Sequence, residues 1–249
     1  MNFAVSTWSY LRAYSDEANL EQAIREITDG GFGVELWLHW SPEPDAFDES
    51  RWGRIRGLVG GAPLSIHTAL TGCNPELFKK EVDIAAGLGA SLIVAHEPTL
   101  GFKLEEELVG LDCCREVMEY ASSRNIRVAL ENGPFTTLDR TVAKIGHEVD
   151  VCLDVGHANM TEGGIGAFLE RFGPRIVHVH LSDNYGEDDD HLVPGEGYIS
   201  MEDWRSLFKT LRSEKFAGNV VFEINARDPK RDAKRAREFI DYVIRSIEK

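Results

Sequence analysis

The sequence predicts an α/β protein of one domain, a closed (β/α)8 barrel of parallel strands. Three observations carry this. Short apolar runs alternate with longer segments of helical apolar spacing, eight times over, and such alternation makes each helix a crossover between parallel strands. Eight units fill the 249 residues, the length that a closed barrel of this kind needs. No GxGxxG follows the first strand, and polar strand ends are spread along the whole chain, which opposes a doubly wound open sheet. No linker marks a second domain.

Residues 3–7 form the first strand. Leu20, Ala23, Ile24 and Ile27 then share one helical face, and Gly30 and Gly31 stop that helix. The second strand, 34–38, is followed by Pro42, Pro44 and a helix over 52–59. The third strand is 64–67; after it Asn74 and Pro75 supply a cap and a first-turn proline. The helix they start carries Phe78, Val82 and Ala85 on one face. Strand 91–95 leads to His96, then to a long amphipathic helix over 104–122. Strand 128–130 leads to Glu131 and a helix over 138–145. The sixth strand is 151–153, a short helix covers 165–172, and the seventh strand is 176–181. A long loop, 185–199, precedes a helix over 201–211 and the eighth strand, 220–224. The last helix buries Phe239, Ile240, Val243, Ile244 and Ile247, and the basic run 230–237 reads as its solvated face.

Lysine and arginine total 27 against 42 acidic residues, a formal charge of −15. That opposes a broad nucleic-acid or anionic-membrane surface. The N-terminal MNFAVSTWSY lacks the basic-then-apolar pattern of a signal peptide. No apolar run approaches the roughly 20 residues of a membrane span. Cys73, Cys113, Cys114 and Cys152 match neither a zinc ribbon nor a disulfide scaffold, so a reduced, cytoplasmic protein is expected.

The strand ends, in order, carry Trp8, then Glu35 and Trp37, His67, His96, Glu131, Asp154, His180 and Glu223. A closed barrel gathers its C-terminal strand ends into one crater. Glu131, Asp154, His180 and Glu223 would crowd three formal negative charges there, forcing protonation or strain without a cation. A divalent metal removes the conflict, and mixed oxygen and nitrogen donors suit manganese, magnesium, cobalt or zinc. Any one of the four alone reads more readily as a core hydrogen bond or ion pair; it is the four together, at matching strand ends, that point to a metal. His157 is a second ligand, a cap or a substrate contact. His178 points the same way as His180, one layer deeper, and is expected to pack rather than ligate. His67 and His96 touch substrate, bind additional metals with Asp189 and His191, or are satisfied structural histidines. Gly195 and Gly197 in HLVPGEG allow a tight path back to the site, with Glu196 as a candidate substrate contact. Glu35, inside an apolar run, calls for a partner, and a structural ion pair is favoured over substrate contact.

At these residues the chain resembles the xylose-isomerase-like TIM-barrel superfamily, which includes sugar isomerases, ketose epimerases, inosose-type dehydratases and AP endonucleases. ALEN, CLDVGHA, VHVHLSDN, HLVPGEG and VFEIN carry the resemblance, in this order, over essentially the whole chain. It implies that Glu131, Asp154, His180 and Glu223 are the shared metal site, that Glu131 and Glu223 are the acid/base pair of the epimerases, and that His157 contacts substrate. Many sugar-active relatives have lysine where this chain has Ser182, so the substrate does not carry over. The AP endonuclease branch binds three zinc ions with a larger ligand set. His67, His96, Glu131, Asp154, His157, His180, Asp189, His191 and Glu223 match it. The acidic charge and the lack of evident basic DNA-gripping loops count against that branch.

The chemistry expected from the resemblance is proton transfer beside the carbonyl of a sugar or polyol-like substrate, through a metal-stabilised enediolate. One glutamate removes the proton and the other returns it. Return to another carbon gives isomerisation, return to the other face gives epimerisation, and loss of a β-hydroxyl gives dehydration. Trp8, Trp37 and Phe135 are candidate pocket walls, or ordinary core and rim aromatics. No phosphate-binding glycine loop is evident, which favours an unphosphorylated substrate. The loop 185–199 is a candidate lid. The outer faces of the barrel leave a homo-oligomer open, and a barrel that only binds and senses a small molecule is the non-catalytic alternative.

Overall fold

Eight parallel strands close on themselves in sequence order, each hydrogen-bonded to the next and β8 to β1. The computed structural model describes residues 1–43, 45–100, 111–146 and 149–248. The strands are β1 (Asn2–Ser6), β2 (Gly33–Trp37), β3 (Leu64–His67), β4 (Leu92–His96), β5 (Arg127–Glu131), β6 (Asp150–Asp154), β7 (Ile176–Leu181) and β8 (Asn219–Phe222). Around them lie α1 (Trp8–Tyr14), α2 (Leu20–Asp29), α3 (Glu49–Val59), α4 (Pro75–Leu88), α5 (Leu111–Ser123), α6 (Phe135–Ile145), α7 (Val155–Asn159), α8 (Gly164–Phe172), α9 (Met201–Ser213) and α10 (Pro229–Ser246). This is the (β/α)8 barrel that the alternation predicts. Residues 104–110 of the helix expected after the fourth strand, and Pro44, lie outside the described residues.

Local chemistry sets the helix starts. The Asn74 side chain accepts from Leu77 N at 3.1 Å, with Pro75 in the first turn of α4. Asn19 and Asp228 cap α2 and α10 in the same way. Two helices fall outside the sequence expectation. In α1 the buried residues are Ser9 and Tyr10, too few to give an apolar stripe. The five-residue α7 is turned out of β6 by Asp154, whose side chain accepts from His157 N at 2.7 Å.

The main core lies between the sheet and the helices, around Trp204, Phe78, Phe168, Phe172, Phe208 and Phe222. A separate small cluster of Leu92, Val94, Ala129 and Cys152 fills one side of the barrel interior. The other side is polar: Glu35, Ser65 and His178 are all buried there. Among the described residues no helix is long and apolar enough to cross a membrane.

Candidate metal centre

Period-two alternation turns the last inward residue of each strand into the C-terminal crater. Glu131 ends β5, Asp154 ends β6, His180 lies in β7 and Glu223 follows β8. All four are buried, and one donor atom from each lies within 4.8 Å of the others. His180 Nδ1 stands at the middle: 3.3 Å from Glu223 Oε2, 3.5 Å from Glu131 Oε1 and 3.8 Å from Asp154 Oδ2. Neither Asp154 Oδ2 nor His180 Nδ1 has a hydrogen-bond partner. Buried polar atoms are rarely left so. Three carboxylate oxygens facing one imidazole nitrogen fit a divalent cation in size and charge.

Electrostatics follow the crowding. Burial alone would raise the Glu131 carboxyl, but His96 and His180 beside it hold it well below the ordinary carboxylate range. Glu223 is likewise held down, against its burial, by His180 and His191. Asp154 is pushed up by burial, with Glu131 adding to the rise. Asn132, which the sequence reading did not single out, ties the two strand ends together. Its side chain accepts from Asp154 N at 2.7 Å and donates to Asp154 O at 3.1 Å. Its only sequence signal is its place directly after a strand-end glutamate.

The remaining candidates fall on two flanks. On one, His67 Nε2 lies 3.0 Å from Glu131 Oε2 and His96 Nδ1 lies 3.7 Å from the same oxygen. On the other, Asp189 Oδ2 lies 3.2 Å from His157 Nε2 and 2.8 Å from His191 Nε2. The Nδ1 atoms of these two histidines face the main-chain oxygens of Asn132 and Glu223, both at 3.0 Å. His191 has a φ of 49°, a left-handed conformation uncommon for a residue with a side chain, and it sits at the rim.

Trp8 and Trp37 stand beside the crater, their rings 4.5 Å from that of His191 and 4.3 Å from that of His67. Phe135 does not join them; it packs edge-on to Phe168, at 5.2 Å, in the outer core. Nor is Glu196 drawn into the crater. It is exposed and pairs with Arg235 of α10, because the chain turns outward after Pro194. The loop 185–199 is pinned by buried Asp183, which accepts from the main-chain N of Asn184, Gly195 and Ile199 at 2.9, 2.9 and 3.1 Å. Ser182 is fully buried, and a Cβ on Gly156 would stand only 2.5 Å from its Oγ.

The chain matches the model of the xylose isomerase-like TIM barrel family over residues 74–243. An uncharacterized protein of Sinorhizobium fredii, y4fM, is 30% identical over 229 residues, covering 86% of this chain and 70% of that protein. An inosose dehydratase of Yersinia enterocolitica is 31% identical over 140 residues, 46% of each chain. Among solved structures, a D-tagatose 3-epimerase-like protein superposes with a TM-score of 0.81 at 22% identity, over 100% of this chain and 98% of the other. D-psicose 3-epimerase from Clostridium cellulolyticum H10, solved with D-tagatose, gives 0.77 at 19% identity, over 98% and 99%. The IolI protein with a bound zinc atom gives 0.75 at 16% identity, over 96% and 98%. At these identities the structural likeness is one of fold.

Proposed function

The chain belongs to the xylose isomerase-like TIM barrel family, and from that premise we propose that it is a divalent-metal-dependent isomerase or epimerase of a sugar or polyol-like substrate. The observation that carries this reading is the ring of Glu131, Asp154 and Glu223 oxygens at 3.3–3.8 Å around His180 Nδ1, inside a crater walled by tryptophan. Those four residues would hold the cation. Bound there, it would supply Lewis-acid stabilisation of the negative charge that develops on a carbonyl oxygen as a neighbouring C–H proton leaves.

The chain's own residues supply the proton transfer. Glu223 pairs with His180 alone among the described residues, which leaves its carboxylate the freer base. Glu131 is clamped by His67 at 3.0 Å and presents its other oxygen to the crater, suited to returning a proton from another side. Both carboxyls are held down, so both start ionised near neutral pH: Glu223 can accept the substrate proton, and Glu131 must first take up a proton from solvent before it can return one. His157 would meet a substrate oxygen by giving up its Asp189 contact, and Trp8 and Trp37 would offer apolar faces to a sugar or cyclitol ring while excluding water. The inosose dehydratase likeness supports a variant outcome, in which loss of a β-hydroxyl follows the same proton abstraction.

The test is turnover of ketohexoses and inosose-type polyols in deuterated water, with Glu131→Gln and Glu223→Gln beside the wild type. Incorporation of deuterium at the carbon next to the carbonyl, lost in both variants, supports the reading. Retained activity in both purified variants sinks the acid/base roles.

One observation favours a second reading, a three-zinc phosphodiesterase of the AP endonuclease type. Nine donors form three adjoining groups, with Glu131 shared between His67 and His96 on one side and the central four, and Asp189 facing His157 and His191 on the other. Elemental analysis separates the two. About one metal per chain supports the isomerase or epimerase; close to three zincs per chain, with cleavage of abasic DNA, supports the phosphodiesterase.

A further inference from the structure

Directly beneath the crater, Glu35 of β2 is completely buried. A carboxylate in such a place is costly unless its lone pairs are used. One oxygen, Oε2, is taken by two donors: His178 Nε2 at 2.7 Å and Ser65 Oγ at 3.0 Å. The other, Oε1, faces His180 Nε2 at 3.1 Å, off the line of a full hydrogen bond. His180 is thus gripped between one carboxylate below and three above, with a different ring nitrogen toward each.

A salt bridge to His178 alone would account for Oε2 and leave Oε1 with no task. The position of His180 supplies the task. A ligating imidazole must offer an unprotonated nitrogen, and the proton then resides on its other nitrogen. We propose that Glu35 is a positioning residue for the metal centre: it holds the His180 proton on Nε2 and so turns Nδ1, as a free lone pair, toward Glu131, Asp154 and Glu223. His178 and Ser65 act one step further out, fixing Oε2 so that Oε1 is the atom left for His180.

The competing neighbour is Cys152, whose sulfur lies within 4.8 Å of donor atoms of both His178 and His180. A buried thiol is a weak acceptor, whereas the carboxylate oxygen Glu35 Oε1 lies 3.1 Å from His180 Nε2.

This inference rests on the metal reading above, and its test reads metal affinity rather than turnover. Chelator-stripped wild type, Glu35→Gln, Glu35→Asp and Glu35→Ala are titrated with Co²⁺ by calorimetry and by visible absorption. Circular dichroism and melting of the metal-free proteins report the fold. The expected result is Co²⁺ affinity lowered about 10–100-fold in Glu35→Gln, with an altered Co²⁺ spectrum and a retained fold. Glu35→Asp, which keeps the charge, recovers part of the affinity. Should the Glu35 variants fail to fold, His178→Asn and Ser65→Ala, each removing one clamp from Oε2, are expected to weaken binding by a smaller factor. Affinity and spectrum equal to wild type in the folded variants overturn the inference. A wild type that takes up no Co²⁺, Mn²⁺ or Zn²⁺ overturns the metal reading itself, a result distinct from a defect confined to the variants.

Discussion

Asp189 Oδ2 lies 3.2 Å from His157 Nε2. It also meets His191 Nε2, and both histidines direct Nδ1 at a main-chain oxygen, which only an N–H can satisfy. Each ring therefore binds its second proton against Asp189. Burial alone would lower both histidines. The carboxylates outweigh it, Asp154 foremost for His157 and Asp189 foremost for His191, raising them to about 11 and about 9.

The sign of the pH dependence follows. A histidine raised above its unfolded value of about 6.5 contributes stability that is complete below that pH and lost as pH rises through the folded value. Metal-free protein should lose urea resistance between about pH 6.5 and about 9 as His191 deprotonates. His157 should extend the loss toward about pH 11. Asp189→Asn should flatten the profile. Urea midpoints from pH 6 to 10 check this, and a wild-type profile already flat over that range refutes it.

Cation binding should stabilise the fold, because it relieves the repulsion among Glu131, Asp154 and Glu223. At a hundredfold excess over Kd the gain is about 2.7 kcal/mol. For a chain of this size that raises Tm by roughly 5–10 °C. Asp154→Asn should abolish most of the shift; because it also removes the carboxylate that chiefly holds His157 charged, the shift is read against the variant's own metal-free Tm. Scanning calorimetry with and without Mn²⁺ decides it.

Trp8 and Trp37 flank the crater against His191 and His67. Replacing either by alanine should raise KM by several-fold and change kcat much less, the pattern of lost uniform binding. A large fall in kcat at unchanged KM would place these rings in the chemistry instead.

Asp183 accepts from the main-chain N of Gly195 and Ile199 in the 185–199 loop, and from that of its neighbour Asn184. Asp183→Asn keeps the shape but weakens the acceptor, and should cost about 1–3 kcal/mol. Limited proteolysis should then cut within 185–199 first. An uncut loop under conditions that spare the wild type would show that the loop is held by other contacts.

Gly156 leaves no room for a side chain beside Ser182 Oγ. Gly156→Ala should destabilise by about 1–3 kcal/mol through overpacking. The double variant Gly156→Ala with Ser182→Gly should recover much of this. Additive losses, measured by urea unfolding, would exclude a direct clash.

The barrel was readable because its signals are local. Strand 64–67 and strand 176–181 agree with the structure to the residue, since apolar runs and helix periodicity are properties of neighbouring positions. Asn74 with Pro75 announced α4 for the same reason. The short helices α1 and α7 escaped, being too brief to develop a periodic face. In the site, the strand-end rule put Glu131, Asp154, His180 and Glu223 in one crater, where the structure brings their donor atoms together. Glu196 and Phe135 had no comparable rule, and both point elsewhere.

By itself, then, the sequence determined the alternation, the closure it implies and the polar residues that alternation delivers to one rim, all consequences of period and order along the chain. Tertiary structure alone decided the partners. That Glu35 grips His180 from below, across 145 positions, and that Asp189 leans on His157 rather than on solvent, depend on strand stagger and on a loop path fixed by Asp183. Such contacts are set by distance in space between residues remote in sequence, and periodicity carries no record of it.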